Sequence, residues 1–513
     1  MVGLVIRQSL KATVVTYLGV GLGALNLLYF FPRYLQPELI GLRELLLGVA
    51  LSLSILTQLG LQSAMSRFFP YFQDPKRQHN GFLLFSLGVA AFGFAVFGGL
   101  FALLSPWWAS IFTEKSAQAN AYWWMVLPLT AMMMLQNILE IWARLHYRIV
   151  VNALIRELGL RLVLTALTLG LGHGWLHEGQ FLAGMCLSYG LASGGLVWYL
   201  KHLGILYLDP QWVRVRKSLR PLMLRYSMWM IVGGAGVVIN ERIDGLMLAW
   251  LAGLASTGIY SLSFFVGTII EMPRRSISQI AGTLITHAWR NKDFAVLGKL
   301  HRQAALNQML VGGLILVLVW THVESIFDLM PNGDLYRSGK WVVFWIGLAR
   351  WFDMSNGLNT EIILNSPYYR FNLVSIVFLS IVSFTANYLL IPVYGLTGAA
   401  AGSTLSILLF NLLKGGFLWF RLRIQPFGIR NLLALMLLLG MYGLGMGLNQ
   451  LFPSEGARIF GSPEMGTLFR VACKSLLVAG LFAVILLRTR LSPELSDLVQ
   501  PLLSRLQQGR RRG

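Results

Sequence analysis

The stretch "KHLGILYLDPQWVRVRKSLRPLMLR" (201–225) is the longest basic connection in the chain. It carries Lys201, Arg214, Arg216, Lys217, Arg220 and Arg225. On both sides lie apolar runs of roughly 20 residues, the length that crosses a bilayer as a helix. Six precede it, at 10–32, 40–64, 81–104, 120–143, 150–172 and 179–201. Eight follow, at 224–248, 257–280, 303–322, 340–362, 370–391, 396–420, 430–451 and 467–487. The basic stretch therefore divides fourteen predicted spans into six, six and two. The expected organisation is an N-terminal six-helix bundle (1–210), a C-terminal six-helix bundle (211–425), two additional transmembrane helices (426–490) and a basic tail (491–513).

Composition supports an all-α polytopic membrane protein. Only 12% of the 513 residues are charged and 56% are hydrophobic, against about 25% charged in soluble domains. No long polar block remains for a separate soluble domain. The net charge of +21 would suggest nucleic acid in a soluble protein. Here the basic residues gather between apolar runs, so they report orientation instead. Placing the N-terminus inside puts most of the 42 lysines and arginines in inner segments, Arg156 and Lys414 among them. The outer loops keep few, while holding Glu114, Glu178, Glu324, Asp328, Asp334, Glu455 and Glu464. Both termini are then cytoplasmic and the span count is even. The first apolar run is too long for a signal-peptide core and reads as an uncleaved helix.

The two halves echo each other when residue n is aligned with n+217. Gly41 then falls on Gly258, Gln62 on Gln279 and Ala64 on Ala281. Six spans per copy leave both copies the same way up, a parallel repeat about the membrane normal.

Several segments carry a family resemblance. They are "IRQSLKATVVTYLG" (6–19), "QLGLQSAMSRFFPYF" (58–72), "GLNTEIILNSPYYR" (357–370) and "NYLLIPVYGLTGAAAGSTLS" (387–406). Together they resemble bacterial Wzx-type oligosaccharide flippases of the multidrug/oligosaccharidyl-lipid/polysaccharide exporter superfamily. The resemblance spans nearly the whole chain. It implies two six-helix bundles around a central cavity, with two further helices. It also implies export of an undecaprenyl-diphosphate-linked oligosaccharide from the inner to the outer leaflet of the bacterial cytoplasmic membrane, for cell-surface polysaccharide such as O-antigen. Other polysaccharide-assembly proteins are implied partners, alongside membrane lipids. A coupled proton or sodium ion stays open.

The chemistry of such a cargo sets which residues matter. A diphosphate needs guanidinium forks. Sugars need amides, hydroxyls and aromatic faces. No covalent step is required, and no catalytic motif, metal-ligand spacing or cofactor loop stands out. His173 and His177 are scattered loop residues, not a metal pair. Charges within spans are costly and usually face a bundle interior. Candidate cargo contacts are therefore Arg43, Gln136, Arg242, Asp244, Arg274, Arg275, Arg350, Asp353 and Asn359. Each has a plainer reading beside it. Arg43 pairs with Glu44 or Glu38 as a loop anchor. Asp244 holds Arg242. Arg274 and Arg275, next to Pro273, snorkel to lipid phosphates. Arg350 and Asp353 lie three apart on one helix face and form an internal ion pair. Gln136 and Asn359 hydrogen-bond between helices. Arg161, four residues after Glu157, forms an i,i+4 pair. Glu140, Asp244 or Asp353 is available to carry a coupled proton.

Two other classes fit the sequence less well. A drug–cation exporter of the same superfamily would want acidic groups in its cavity, whereas the buried charges here lean basic. A membrane polymerase or glycosyltransferase would show large outer loops, and all outer loops here are short.

Overall fold

The structure is a computed structural model that describes residues 2–112, 116–210, 219–451 and 463–495. Glu114, Lys115, Glu455, Arg458, the middle of the basic connection and nearly all of the basic tail lie outside these residues. Among the described residues every regular element is a helix. Bilayer hydrocarbon offers backbone groups no partner, so a helix that satisfies its own hydrogen bonds is the one open-ended element that spans it.

The chain forms two compact units, Met1–Ser261 and Leu262–Gly513. The first holds α1 (Val2–Leu25), α2 (Pro37–Thr57), α3 (Leu61–Phe72), α4 (Phe82–Leu103) and α5 (Val126–Leu145). It continues with α6 (Leu160–Gly172), α7 (Glu178–His202), α8 (Leu219–Leu251) and the start of α9 (Leu254–Thr268). The second holds the rest of α9, then α10 (Met272–Arg290), α11 (Phe294–Thr321), α12 (Lys340–Ser355) and α13 (Asn359–Leu364). It ends with α14 (Tyr369–Leu422), α15 (Ile429–Leu451) and α16 (Pro463–Thr489).

Eleven helices among the described residues are long and apolar enough to cross a membrane. The difference from fourteen has a local cause in each case. Spans 370–391 and 396–420 form the single 54-residue α14, broken at Gly395 with φ 57° and ψ −132°. That backbone conformation is open to glycine and strained for side-chain-bearing residues. Span 150–172 is helical throughout but passes through a π-helical turn, Leu154–Gly159, that carries Arg156 and Glu157. Span 340–362 is α12 plus α13, interrupted at Gly357 in the left-handed region (φ 66°). The helical segments are thus consistent with fourteen crossings.

The 217-residue register recurs in the contacts. A Cβ on Gly41 would meet the Leu254 carbonyl oxygen at 1.9 Å, and one on Gly258 would meet the Pro37 oxygen at 2.0 Å. Pro37 plus 217 is Leu254, so the two contacts exchange under the repeat. Only glycine allows backbones this close. A second pair follows the same register. Thr130 Oγ1 donates to the Ala50 carbonyl at 3.4 Å, and a Cβ on Gly267 would lie 3.3 Å from the nitrogen of Gly347. Here 50 and 130 shift to 267 and 347.

Candidate functional site

In the first unit one set of polar side chains gathers around Glu44. Arg43 Nη1 donates to Glu44 Oε1. Arg242 Nη1 lies 3.7 Å from the other oxygen of the same carboxylate. Two guanidinium groups therefore share one acidic partner. The Arg43 guanidinium also sits 5.1 Å from the centre of the Phe31 ring. The side chain of Arg242 is 41% exposed, against 13% for Arg43. Asp244 does not hold Arg242, contrary to expectation. It is buried and accepts from the Tyr260 hydroxyl at 3.0 Å. Residues two apart on a helix point to different faces, so one side chain enters the core and the other leaves it.

A second polar group surrounds Glu140. Gln136 Nε2 donates to Glu140 Oε1 at 3.0 Å, and Arg156 Nη1 donates to Oε2 at 3.2 Å. Asn152 Nδ2 donates to the Glu140 carbonyl at 3.1 Å. Gln136 is thus tied to its own helix neighbour. Arg161 pairs with Glu157 at 3.0 Å, as its spacing foretold. Gly23 of α1 lies against the Arg161 guanidinium, where a Cβ would be 3.1 Å away. Tyr189 on α7 is within electrostatic reach of Arg43, Glu44, Arg156 and Arg242. These charges therefore border one region of the first unit. Sequence reasoning misses Arg156 because it counts this residue among inner-loop cations. The π-helical turn that presents it leaves no mark in hydropathy.

The second unit arranges its charges differently. Arg350 and Asp353 are not paired with each other. Arg350 Nη1 reaches Glu271 Oε2 at 2.9 Å, and Asp353 accepts from Arg274. Glu271 and Arg274 are also three apart, so they too share a face, with opposite order of charge. Two rungs therefore form side by side, Glu271 with Arg350 and Arg274 with Asp353. The rungs require the segments 271–274 and 350–353 to run in the same direction. That is the sense expected of the eighth and tenth spans. Asn411 Nδ2 adds a bond of 2.9 Å to the other Asp353 oxygen.

Beside this ladder Lys414 is 1% exposed, donates to Thr360 Oγ1 at 3.1 Å and packs 3.8 Å from the centre of the Phe410 ring. Sequence reasoning places Lys414 among inner-surface cations. Asn356 bonds back to the Phe352 carbonyl of its own helix at 2.8 Å. Asn359 is 2% exposed, and both its amide atoms are buried without a hydrogen-bond partner among the described residues. The expected hydrogen bond from Asn359 to a neighbouring helix is therefore not made. The backbone of Arg275 belongs to α10, and its side chain lies outside the described residues.

A sequence model of the family described as "Polysaccharide biosynthesis protein" matches residues 5–289. No curated protein sequence matches the chain. Solved structures do. The lipid II flippase MurJ in an inward closed conformation superposes with a TM-score of 0.70 at 12% identity, covering 94% of this chain and 99% of that one. An inward-facing MATE-family multidrug resistance transporter of the MOP superfamily gives 0.54 at 15% identity, covering 81% and 93%. A single-residue mutant of the MATE transporter VcmN from Vibrio cholerae gives 0.51 at 13% identity, covering 82% and 99%. At such identities the likeness speaks for the fold. The family match covers more than half the chain, and with it the protein is identified as a multi-pass membrane protein of the polysaccharide biosynthesis family, with a fold like that of the MurJ and MATE structures.

Proposed function

We propose that the protein is a flippase that carries a lipid-linked oligosaccharide, with undecaprenyl diphosphate as the lipid, from the inner to the outer leaflet of the bacterial cytoplasmic membrane by alternating access. The observation that carries this reading is the pair of guanidinium groups that meet one carboxylate in the first unit, in a chain of the polysaccharide biosynthesis family. Arg43 and Arg242 share the single carboxylate of Glu44. One guanidinium is left with donors to spare for an anionic group, and Arg242 is the more open of the two. A diphosphate matches such a fork bidentately. A cationic drug would be repelled by the same surplus, which speaks against export of that class.

No nucleotide hydrolysis is needed for direction. Two negative charges moved outward across a membrane with a negative interior of about 100 mV gain about 5 kcal/mol. Coupling to a proton or sodium ion is a further part of the proposal, with Asp353 and Asp244 as acidic candidates. The reading is tested in proteoliposomes loaded with fluorescent undecaprenyl-diphosphate oligosaccharide. Leaflet transfer above that of empty vesicles is expected. Absence of transfer, together with export of organic cations, overturns it.

A further inference from the structure

The turn that joins α3 to α4 has features that cargo transport does not use. Gln78, His79 and Asn80 are all left-handed, with φ of 48°, 51° and 53°, and Gly81 follows at 63°. Three consecutive side-chain-bearing residues in this region need outside support to hold it. The support comes from a chain of hydrogen bonds. The Asp74 amide donates to His79 Nδ1 at 3.2 Å. His79 Nε2 faces His146 Nε2 at 3.4 Å. His146 Nδ1 faces the Trp142 carbonyl at 2.9 Å.

These partners fix the tautomers. Nδ1 of His79 must be bare to accept, so its Nε2 carries the proton. Nδ1 of His146 must carry a proton to reach a carbonyl, so its Nε2 is bare and accepts from His79. Only two neutral rings complete the chain. A proton added at His79 Nδ1 opposes the Asp74 N–H. One added at His146 Nε2 opposes the His79 N–H. His79 is 5% exposed and enclosed by Phe69, Trp142 and Tyr207 with ring centres 5.2, 5.9 and 5.3 Å away. The Trp142 indole donates to the Ile205 carbonyl at 2.9 Å, which ties the same cluster to the segment after α7.

We propose that this turn is a proton-sensitive latch, closed by the neutral His79–His146 pair and released when the side of the membrane it faces becomes acidic. The charge bias of the sequence assigns that side to the cytoplasm. Burial holds both imidazoles below the ordinary histidine value; His146 lowers His79 further and the Asp74 carboxylate opposes this, while the Trp142 carbonyl opposes it for His146. The other charged residues on these segments are Lys76 and Arg77 in the turn, Arg144 and Arg148 on either side of His146, and Asp209 beyond Tyr207. The helix α4 supplies no titratable side chain. The sign follows. A closed state that depresses a histidine pKa is intact above about pH 6.5 and weakens as pH falls below it.

Hydrogen–deuterium exchange of the full-length protein in nanodiscs tests the latch. Peptides covering residues 73–82 should lose protection severalfold, after correction for intrinsic exchange, between about pH 7.5 and about pH 5.5. Peptides within α7 should not change. His146→Gln keeps an acceptor for His79 and a donor for the Trp142 carbonyl, and asparagine tolerates the left-handed region at position 79. The double variant His79→Asn/His146→Gln should stay protected at both pH values. His146→Lys should be deprotected already at neutral pH. A flat wild-type response, or an undiminished step in the double variant, overturns the proposal. If the double variant does not fold, His146→Gln alone decides, because it removes one of the two titrating rings and must shrink the step.

Discussion

The two units use arginine in opposite ways. In the second, Arg274 and Arg350 each have a carboxylate of their own, on Asp353 and Glu271, with side chains 13–24% exposed. In the first, Arg43 and Arg242 divide Glu44 between them, and Arg242 is 41% exposed. Matched and enclosed charges brace helices. Unmatched and open charge is available to an anion. The lesson is that counting buried arginines is a poor guide to a site, and counting their partners is a better one. Under the proposed function Arg43 and Arg242 are the cargo contacts, while Arg274, Arg350 and Asp353 brace helices.

The sharpest way to break this contrast is Asp353→Ala. It leaves the Arg274 guanidinium and the Asn411 amide facing no carboxylate. Removing one partner of an enclosed pair costs about 3–5 kcal/mol, to be read as a fall in the thermal or denaturant midpoint in detergent. The double variant Arg274→Gln/Asp353→Asn should recover most of that loss, because no lone charge remains. A double variant as unstable as the single would mean that the ladder is not held by charge pairing.

Arg242→Gln should do the reverse. A hydrogen bond to a charged group contributes about 1.5–3 kcal/mol, so cargo affinity should fall roughly ten- to hundredfold while the unfolding midpoint moves little. A stability loss like that of Asp353→Ala, with transfer unchanged, would erase the distinction between the units.

Arg350→Gln is the control between these extremes. Stability should drop by about 1–3 kcal/mol, because the Glu271 carboxylate loses its partner. The affinity for cargo in the folded fraction should be kept. The smallest effect is expected from Glu157→Gln, which removes an i,i+4 pair with Arg161 and should cost about 0.2–0.5 kcal/mol. A larger loss would show that Arg161 draws on the acidic residue for more than local helix support.

Part of the site was legible in the sequence. Arg43 with Glu44 and Arg161 with Glu157 are neighbours along the chain, and local spacing is enough to pair them. Arg350 with Glu271 and Arg274 with Asp353 are 79 residues apart. The i,i+3 spacing of Arg350 and Asp353 correctly placed both on one face, but it made them partners when they are adjacent rungs. Lys414 and Arg156 were misread for a related reason. Hydropathy assigns a cation near a span end to the water, and it has no means of knowing that Thr360 and Phe410 enclose Lys414 or that the buried Glu140 carboxylate accepts from Arg156.

The sequence by itself determined the helical membrane class, the span positions and the 217-residue register. These follow from one-dimensional patterns: apolar length, charge bias and recurring glycines at positions where backbones must touch. The close approach at Gly41 and Gly258 shows itself only in the tertiary structure, because a side chain is excluded there by a carbonyl from a distant helix. Only the tertiary structure decided which charge meets which. Pairing energy depends on distance and enclosure, and both are set by helices that the chain brings together from far apart.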